Sequence, residues 1–552
     1  MKTVFTNARI LADQIGRSYP TGTCLVVEDT QISYIGDETD DIITSLSEKD
    51  ETQQVNLKGQ VVIPSFIDAH VHLLQFGISL AKIDLRPCES LTEIQDVIRR
   101  TAEERPDEAR LLFQGWRHAV TGSDVSASTL DHIHTRPIFI DSDDLHSAWC
   151  NTAALEEMDI QNRADPEGGK IHRDKDGFPT GLLEEAAVIS IVWPFLGNAM
   201  SRKEKLSCLR SAVQEYNKAG YTAIVDMAMD ETYWDLLLEL QSAEELTLRV
   251  AAHFLVMPEK SDEENRAQVE RVAQLHKRYN ITTSPDLRVA GIKIVCDGVI
   301  DGCTAAISHP YLSTGEMVKP TWTPAALQVV LEAADAAHMQ CALHAIGDEA
   351  VNMAINGLEA LGTTGRRHRI EHLELTRPED AKRLGKLGIT ASIQPVHLDP
   401  GYNQLWPPMI GHESCARAFA YREFHDHGAR LAIGSDAPTA PHSPWNNIFN
   451  ATTRRSFRKP QSEETFNEHF KLELNDVFSA TSYGGAYSCF AENIIGGLQV
   501  GKKADFVVLE GDSEWSTDLT SLLANHVSEL WLGGRLVSSN RQLFATPVTG
   551  LA

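Results

Sequence analysis

Two histidines one residue apart, His70 and His72, close the segment Pro64-Ser-Phe-Ile-Asp-Ala-His-Val-His72. The apolar run Val61–Ile67 ahead of them predicts a strand, on which an i, i+2 spacing turns both rings to one face. Two neutral imidazoles on one side can chelate a divalent ion such as zinc. Alone, such a pair has a plainer explanation in coincidence, so its weight comes from other residues of ligand type in similar places. His344 follows the apolar run Cys341–Leu343 and precedes Ala-Ile-Gly-Asp348, a loop that opens a helix. His372 ends Arg369-Ile-Glu-His372, and Asp436 closes Leu431-Ala-Ile-Gly-Ser-Asp436 just before Ala437-Pro438. Each stands at the C-terminal end of a candidate strand, where barrel enzymes carry their catalytic groups. Singly, each reads equally as a satisfied histidine at a helix start or an aspartate capping a turn; together they describe a metal site.

Lys293 lies within Val289-Ala-Gly-Ile-Lys-Ile-Val-Cys-Asp297-Gly298, in a strand that a barrel buries on both faces. A buried ammonium is costly unless paired or neutralised. One reading is a salt bridge to Asp297 or another carboxylate. The other is carbamylation by CO2, which converts the amine into an anionic carboxylate able to bridge two metals.

The elements that must hold these residues follow from pattern. Between about Pro64 and Cys489, short apolar runs such as Thr222–Val225, Val289–Val295, Gln340–Leu343 and Arg430–Ile433 alternate with longer amphipathic segments. That alternation predicts parallel β/α structure, a TIM-type (β/α)8 barrel of the α/β class. A barrel needs roughly 250 residues, so loop insertions are expected, Glu157–Gly181 among them. The two chain ends read differently. Thr3–Ile10, Cys24–Val27, Ile32–Ile35 and Val61–Ile63 are β-rich, as are Asp505–Leu509 and Leu530–Val537, with Gly533-Gly534 as a hairpin turn. The predicted division is a small β-sandwich built from residues 1–63 and 490–552, with the barrel, residues 64–489, inserted between its halves.

Composition limits the function classes. The 552 residues carry 77 Asp+Glu against 50 Lys+Arg, a formal net charge of −27, which repels phosphate backbones and anionic lipid and excludes nucleic acid and membrane as natural partners. Nine cysteines form no CxxC pair and predict reduced, buried thiols. The start of the chain shows no secretory pattern, no run approaches the roughly 20 apolar residues of a membrane span, and a cytoplasmic location is expected. A homodimer is a common outcome for a large soluble enzyme.

The chain resembles the amidohydrolase superfamily, specifically the amidohydrolase-3 (YtcJ-like) branch that includes N-substituted formamide deformylase. The likeness runs through Val61–His72, Gly115-Trp116, Leu145-His146-Ser-Ala-Trp-Cys-Asn151, Gly220–Asp226, Lys293–Ala305, His344–Asp348, Arg369–His372, Ser392-Ile-Gln394-Pro-Val-His397, Gly434–Pro438 and Gly497–Asp505. Gly496-Gly497-Leu498 departs from the more usual Gly-Ser-Leu, far from the ligands. The resemblance implies that His70, His72 and Asp436 hold the more buried of two divalent metals, most naturally zinc. His344 and His372 then hold the more exposed one, and carbamylated Lys293 bridges the two. Hydroxide shared by the metals would attack a small-molecule amide, N-substituted formamide or cyclic amide, with Asp436 as the general base and then acid. Asp297 and Asp348 are candidates to orient ligand imidazoles or the lysine segment. Trp116, His146, Gln394 and His397 are candidates for the pocket lining, with packing or loop capping as the alternative for each; Arg117 and His118 are lesser ones. A metal-dependent decarboxylase or isomerase on the same scaffold, and a metal-free scaffold protein, are the competing readings. Product analysis separates the first from hydrolysis, and metal content tests the second.

Overall fold

The computed structural model describes residues 2–12, 21–47, 52–122, 125–143, 147–166, 169–185, 187–510 and 519–540. The chain divides into two compact units: residues 1–73, 213–301 and 305–552 form the first, and residues 74–212 with 302–304 the second.

The first unit is built round eight parallel strands that follow one another in chain order: β1 (Phe66–Val71), β2 (Tyr221–Met229), β3 (Arg249–Val256), β4 (Leu287–Val295), β5 (Gln340–Ala345), β6 (Arg369–His372), β7 (Thr390–Ile393) and β8 (Leu431–Ile433). Stretches such as Tyr-Thr-Ala-Ile-Val-Asp-Met-Ala-Met in β2 are nearly continuous in apolar residues because both strand faces are covered. This is the expected TIM-type barrel.

Two glycines let its strands close up. A Cβ at Gly434, just past β8, would stand 2.4 Å from the His70 amide nitrogen, so only glycine lets β8 meet β1 there. The Asp436 amide then donates to the His70 carbonyl at 2.8 Å and the His72 amide to the Ala437 carbonyl at 3.1 Å. At Gly291 in β4 a Cβ would lie 1.8 Å from the Gln340 carbonyl oxygen, so its absence holds the strand of Lys293 against β5.

Helices α1 (Glu231–Ser242), α2 (Asp262–Arg278), α3 (Pro324–Ala336), α4 (Asp348–Leu361) and α5 (Pro378–Leu387) follow β2 to β6 in turn. Their starts are chemically marked. The Asp230 side chain caps α1, Ser261 and Glu264 form a reciprocal capping box on α2, and proline occupies the first turn of α3 and α5.

Strands from both chain ends make two further sheets of this unit. The first runs Gln31–Gly36, Cys24–Glu28, Lys2–Thr6, Thr52–Asn56. The second runs Arg9–Ile10, Val61–Pro64, Phe506–Glu510, His526–Leu532, Arg535–Ser539. Asn7, at φ +52, splits the expected Thr3–Ile10 strand so that its two parts join different sheets. Phe5, Phe506 and Trp531 fill the core, Phe5 edge-on to both other rings. Gly533 and Gly534, both at positive φ, make the hairpin turn. Arg249 of β3 fastens this region to the barrel through its ion pair with buried Asp505.

The second unit carries more structure than a loop insertion. Its six-stranded sheet runs Gly169–Arg173, Pro179–Glu185, Ser147–Cys150, Ile138–Ser142, Leu111–Trp116, Ile83–Asp84. Trp116, Trp149, Phe113, Ile140 and Leu130 pack one core of this unit. Of the stretch 157–181, the described residues supply one strand and begin another. All nine cysteines are free, and all but Cys303 are buried. No helix among the described residues is long and apolar enough to cross a membrane.

Candidate metal centre

The ends of β1, β4, β5, β6 and β8 bring His70, His72, Lys293, His344, His372 and Asp436 together. Ring centroids lie 5.5 Å apart for His70 and His72, 4.9 Å for His70 and His372, and 4.3 Å for His344 and His372. Ligand-type atoms of His70, His372 and Asp436 all fall within 4.8 Å of one another, and all three residues are buried.

Hydrogen bonds fix which nitrogen each β1 imidazole presents. His70 Nδ1 is 2.7 Å from Glu371 Oε2, and the carboxylate can only accept, so Nδ1 carries the proton. His72 Nδ1 donates to the Met227 carbonyl at 3.0 Å. Both Nε2 lone pairs are thereby left for the centre, at 3.4 Å and 3.2 Å from Asp436 Oδ1. These separations suit ligands sharing an ion: two donors at about 2.1 Å from one tetrahedral metal stand about 3.4 Å apart.

Four atoms here are buried and lack a hydrogen-bond partner: His70 Nε2, His372 Nδ1, Lys293 Nζ and Asp436 Oδ1. Leaving one such group unsatisfied costs about 1–3 kcal/mol, and four in one cluster fit a divalent cation with its ligands. Backbone strain accompanies them. His372 and Asp436 adopt φ +74 and +56, sparsely populated values for non-glycine residues.

Electrostatics favour lone pairs over imidazolium. Burial, helped by Lys293, pushes the pKa of His70 down to about 4 and that of His344 to about 3, and burial holds that of His372 well below its usual value. His72 is the exception: burial lowers its pKa, but the adjoining Asp436 outweighs this and the net shift is upward. Burial raises the Asp436 carboxyl, yet the surrounding imidazoles prevail and hold it ionised well below the usual range. Burial brings the Lys293 amine from 10.5 down to about 8, so near neutral pH a useful fraction is unprotonated and nucleophilic.

The remaining sequence candidates fall in different places. His344 Nε2 is 3.3 Å from the Gly298 carbonyl and 3.7 Å from Asp297 Oδ1. The Asp297 carboxylate instead accepts the amides of Ala306, Ile346 and Gly347 at 2.8–3.0 Å, clamping the loop that follows His344. Asp348 holds no imidazole; it accepts the Ser308 amide and pairs with Arg377. Gln394 is buried with both amide atoms unpartnered, and His397 Nε2 is 3.7 Å from Asp436 Oδ2. Trp116 is packed within the second unit, where its indole donates to Thr121 Oγ1 and its ring meets His118. His146 lies outside the described residues.

Sequence reasoning gave no role to four charged residues that shape the centre. Arg369, fully buried, grips both oxygens of Glu371, the Ala69 carbonyl and the hydroxyls of Ser392 and Ser488. Glu371 then orients His70. Asp68, whose pKa burial raises to about 6, accepts from the Ser435 amide and hydroxyl and from Tyr216, and so places Asp436. Glu374 faces His397. The signal was available: Arg369, Glu371 and Asp68 are charges inside strands that a barrel buries, the argument that singled out Lys293.

Protein LONG AFTER FAR-RED 3 of Arabidopsis thaliana is 29% identical over 499 residues, covering 87% of this chain and 83% of that protein. The N-substituted formamide deformylase of Arthrobacter pascens is 23% identical over 512 residues, covering 88% and 90%. The crystal structure of an uncharacterized metal-dependent hydrolase from Pyrococcus horikoshii OT3 superposes with a TM-score of 0.76 at 23% identity, covering 93% of this chain and 98% of that one, and so shares the fold. The model of the amidohydrolase family matches residues 53–538, nearly the whole sequence, and the chain belongs to that family.

Proposed function

We propose that this chain is a metal-dependent hydrolase that cleaves a carbon–nitrogen bond in a small molecule. Family membership supports a hydrolase. The observation that carries the metal part is the cluster of buried, unpartnered donor atoms on His70, His372 and Asp436. The deformylase among the relatives supports the bond class.

His70, His72 and Asp436 would hold one divalent cation, His344 and His372 a second, with a carbamate on Lys293 between them. The carbamate forms when the neutral amine attacks CO2, making an N–C bond and releasing one proton to solvent. Zinc suits the imidazole-rich set. When bound, such cations supply Lewis acidity, lowering the pKa of water and polarising a carbonyl. Asp436, held ionised, accepts a proton from the attacking water and passes it to the leaving nitrogen. Glu371 keeps the His70 lone pair turned inward, and Asp68 keeps Asp436 in place.

The test is turnover of a panel of amides and N-substituted formamides, followed by amine release, with metal content measured alongside. Asp436→Asn should lower turnover by about 10²-fold or more while the fold persists. Lys293→Ala should lose comparable activity and regain part of it with added short carboxylic acids. Near-normal turnover by Asp436→Asn contradicts its role, and CO2 release without amine rules out the carbon–nitrogen reading.

A further inference from the structure

β6 ends in two successive left-handed residues, His372 at φ +74 and Leu373 at φ +54. Neither is glycine, so each conformation is strained and persists only where its surroundings demand it. The residue delivered by this turn is Glu374, which is 6% exposed. Its carboxylate stands 3.6 Å from His397 Nδ1. Ligand-type atoms of His372, Glu374 and His397 all lie within 4.8 Å of one another.

Three further facts point to a ligand. A charged hydrogen bond between Glu374 and His397 would measure about 2.7–2.9 Å; the observed gap is closer to the roughly 3.4 Å between two donors on one ion. His397 is arranged as metal-binding histidines commonly are. One nitrogen faces Glu374, and the other is 3.5 Å from Thr439 Oγ1, an outer partner that orients the ring, with Asp436 Oδ2 farther off at 3.7 Å. His372 Nδ1 is buried without a partner.

We propose that His372, Glu374 and His397 form a second seat for the second divalent cation, used when Lys293 carries no carbamate. The inference rests on the metal-dependent reading above and deepens it. His372 belongs to both ligand sets. Toward β5 it joins His344, a set that holds no anion until Lys293 is carbamylated. Toward β7 it joins His397 and a carboxylate already in place. Two imidazoles and one carboxylate accept zinc and its first-row neighbours. The cation that loads first at Glu374 is thus retained until CO2 arrives, and the carbamate then draws it to the His344 side.

The experiment is calorimetric titration of the chelator-stripped, full-length chain with Zn2+, repeated with Co2+ and checked by elemental analysis, on wild type and three variants. Circular dichroism confirms that each variant is folded. Wild type and Lys293→Ala should each bind about two equivalents, whereas Lys293→Ala/Glu374→Gln and Lys293→Ala/His397→Asn should bind about one. In these double variants the second Kd should rise by at least about 100-fold, above the 10–100-fold that outer partners contribute. Wild type with two equivalents and Lys293→Ala with one would overturn the second seat while leaving the metal centre intact. Double variants that keep two would do the same. Should one double variant fail to fold, the other carries the test. A wild type that binds no metal would overturn the metal-dependent reading itself.

Discussion

Arg369 in β6 and Lys293 in β4 are both deeply buried cations of the same barrel, at 0% and 2% exposure. The Arg369 guanidinium is engaged on every side, with five oxygen partners. Lys293 Nζ has none. A buried charge is tolerated when paired and hydrogen-bonded, so the arginine is explained by the protein alone. The lysine is not, and the carboxylates whose charge acts on it most are those that serve the candidate centre, Glu371 and Asp436. Of these two cations, the satisfied one belongs to the scaffold and the unpartnered one stands at the candidate centre.

The largest expected effect breaks the satisfied side. Arg369→Met removes the partner of Glu371 and leaves a buried carboxylate uncompensated, which should cost about 3–5 kcal/mol. Urea unfolding of the metal-free chain measures it. A loss below about 1 kcal/mol would mean that the arginine is not what makes the Glu371 charge tolerable.

The lysine should instead reveal itself through pH. Burial lowers its folded-state pKa from 10.5 to about 8, with Glu371 and Asp436 partly opposing the shift. Well below pH 8 the amine is protonated in both folded and unfolded chains, and the full burial penalty is present. Between about pH 8 and 10.5 the unfolded chain binds the extra proton, so stability rises with pH, by up to about 3 kcal/mol. Comparing metal-free wild type with Lys293→Met in CO2-free buffer isolates this contribution. If both show the same slope, Lys293 does not titrate as a buried group.

Glu371 joins the two sides, since it takes charge from Arg369 and hands orientation to His70. Glu371→Gln keeps the volume but replaces the anion that accepts the His70 proton. Zinc affinity should fall about 10–100-fold, the usual effect of an outer partner. An unchanged affinity would show that His70 needs no such orientation.

Much of this was legible in the sequence because barrels place polar residues at strand ends and strands announce themselves by apolar runs. His70, His72, Lys293, His344, His372 and Asp436 were found that way, and the structure brings all six together. Glu371 and Asp68 were passed over although they stand one or two residues from a candidate ligand, because neither is the last residue of its strand, where barrel ligands are expected. Glu374 was harder to see. It lies beyond β6 and reaches the cluster only because His372 and Leu373 turn left-handed, a conformation that no propensity of histidine or leucine foretells. Within the second unit only Glu157–Gly181 was expected as an insertion; its sheet went unread because strands such as Ser147–Cys150 are short and pair antiparallel, without the strand–helix rhythm that gave the barrel away.

The smallest expected effect is the sharpest test of the contrast. Lys293→Met exchanges an unpartnered amine for an apolar side chain of similar length, in a strand whose other buried members include Ile292 and Ile294. Replacing buried charge by well-packed apolar volume is commonly neutral or stabilising. At pH 7 the metal-free variant should therefore be within about 1 kcal/mol of wild type or more stable, while its turnover drops. The paired measurement is the point, because stability alone would not separate a ligand from a bystander. If Lys293→Met were as damaging to the metal-free fold as Arg369→Met, the amine would have to be satisfied by the barrel itself, and its missing partner would no longer argue for a carbamate.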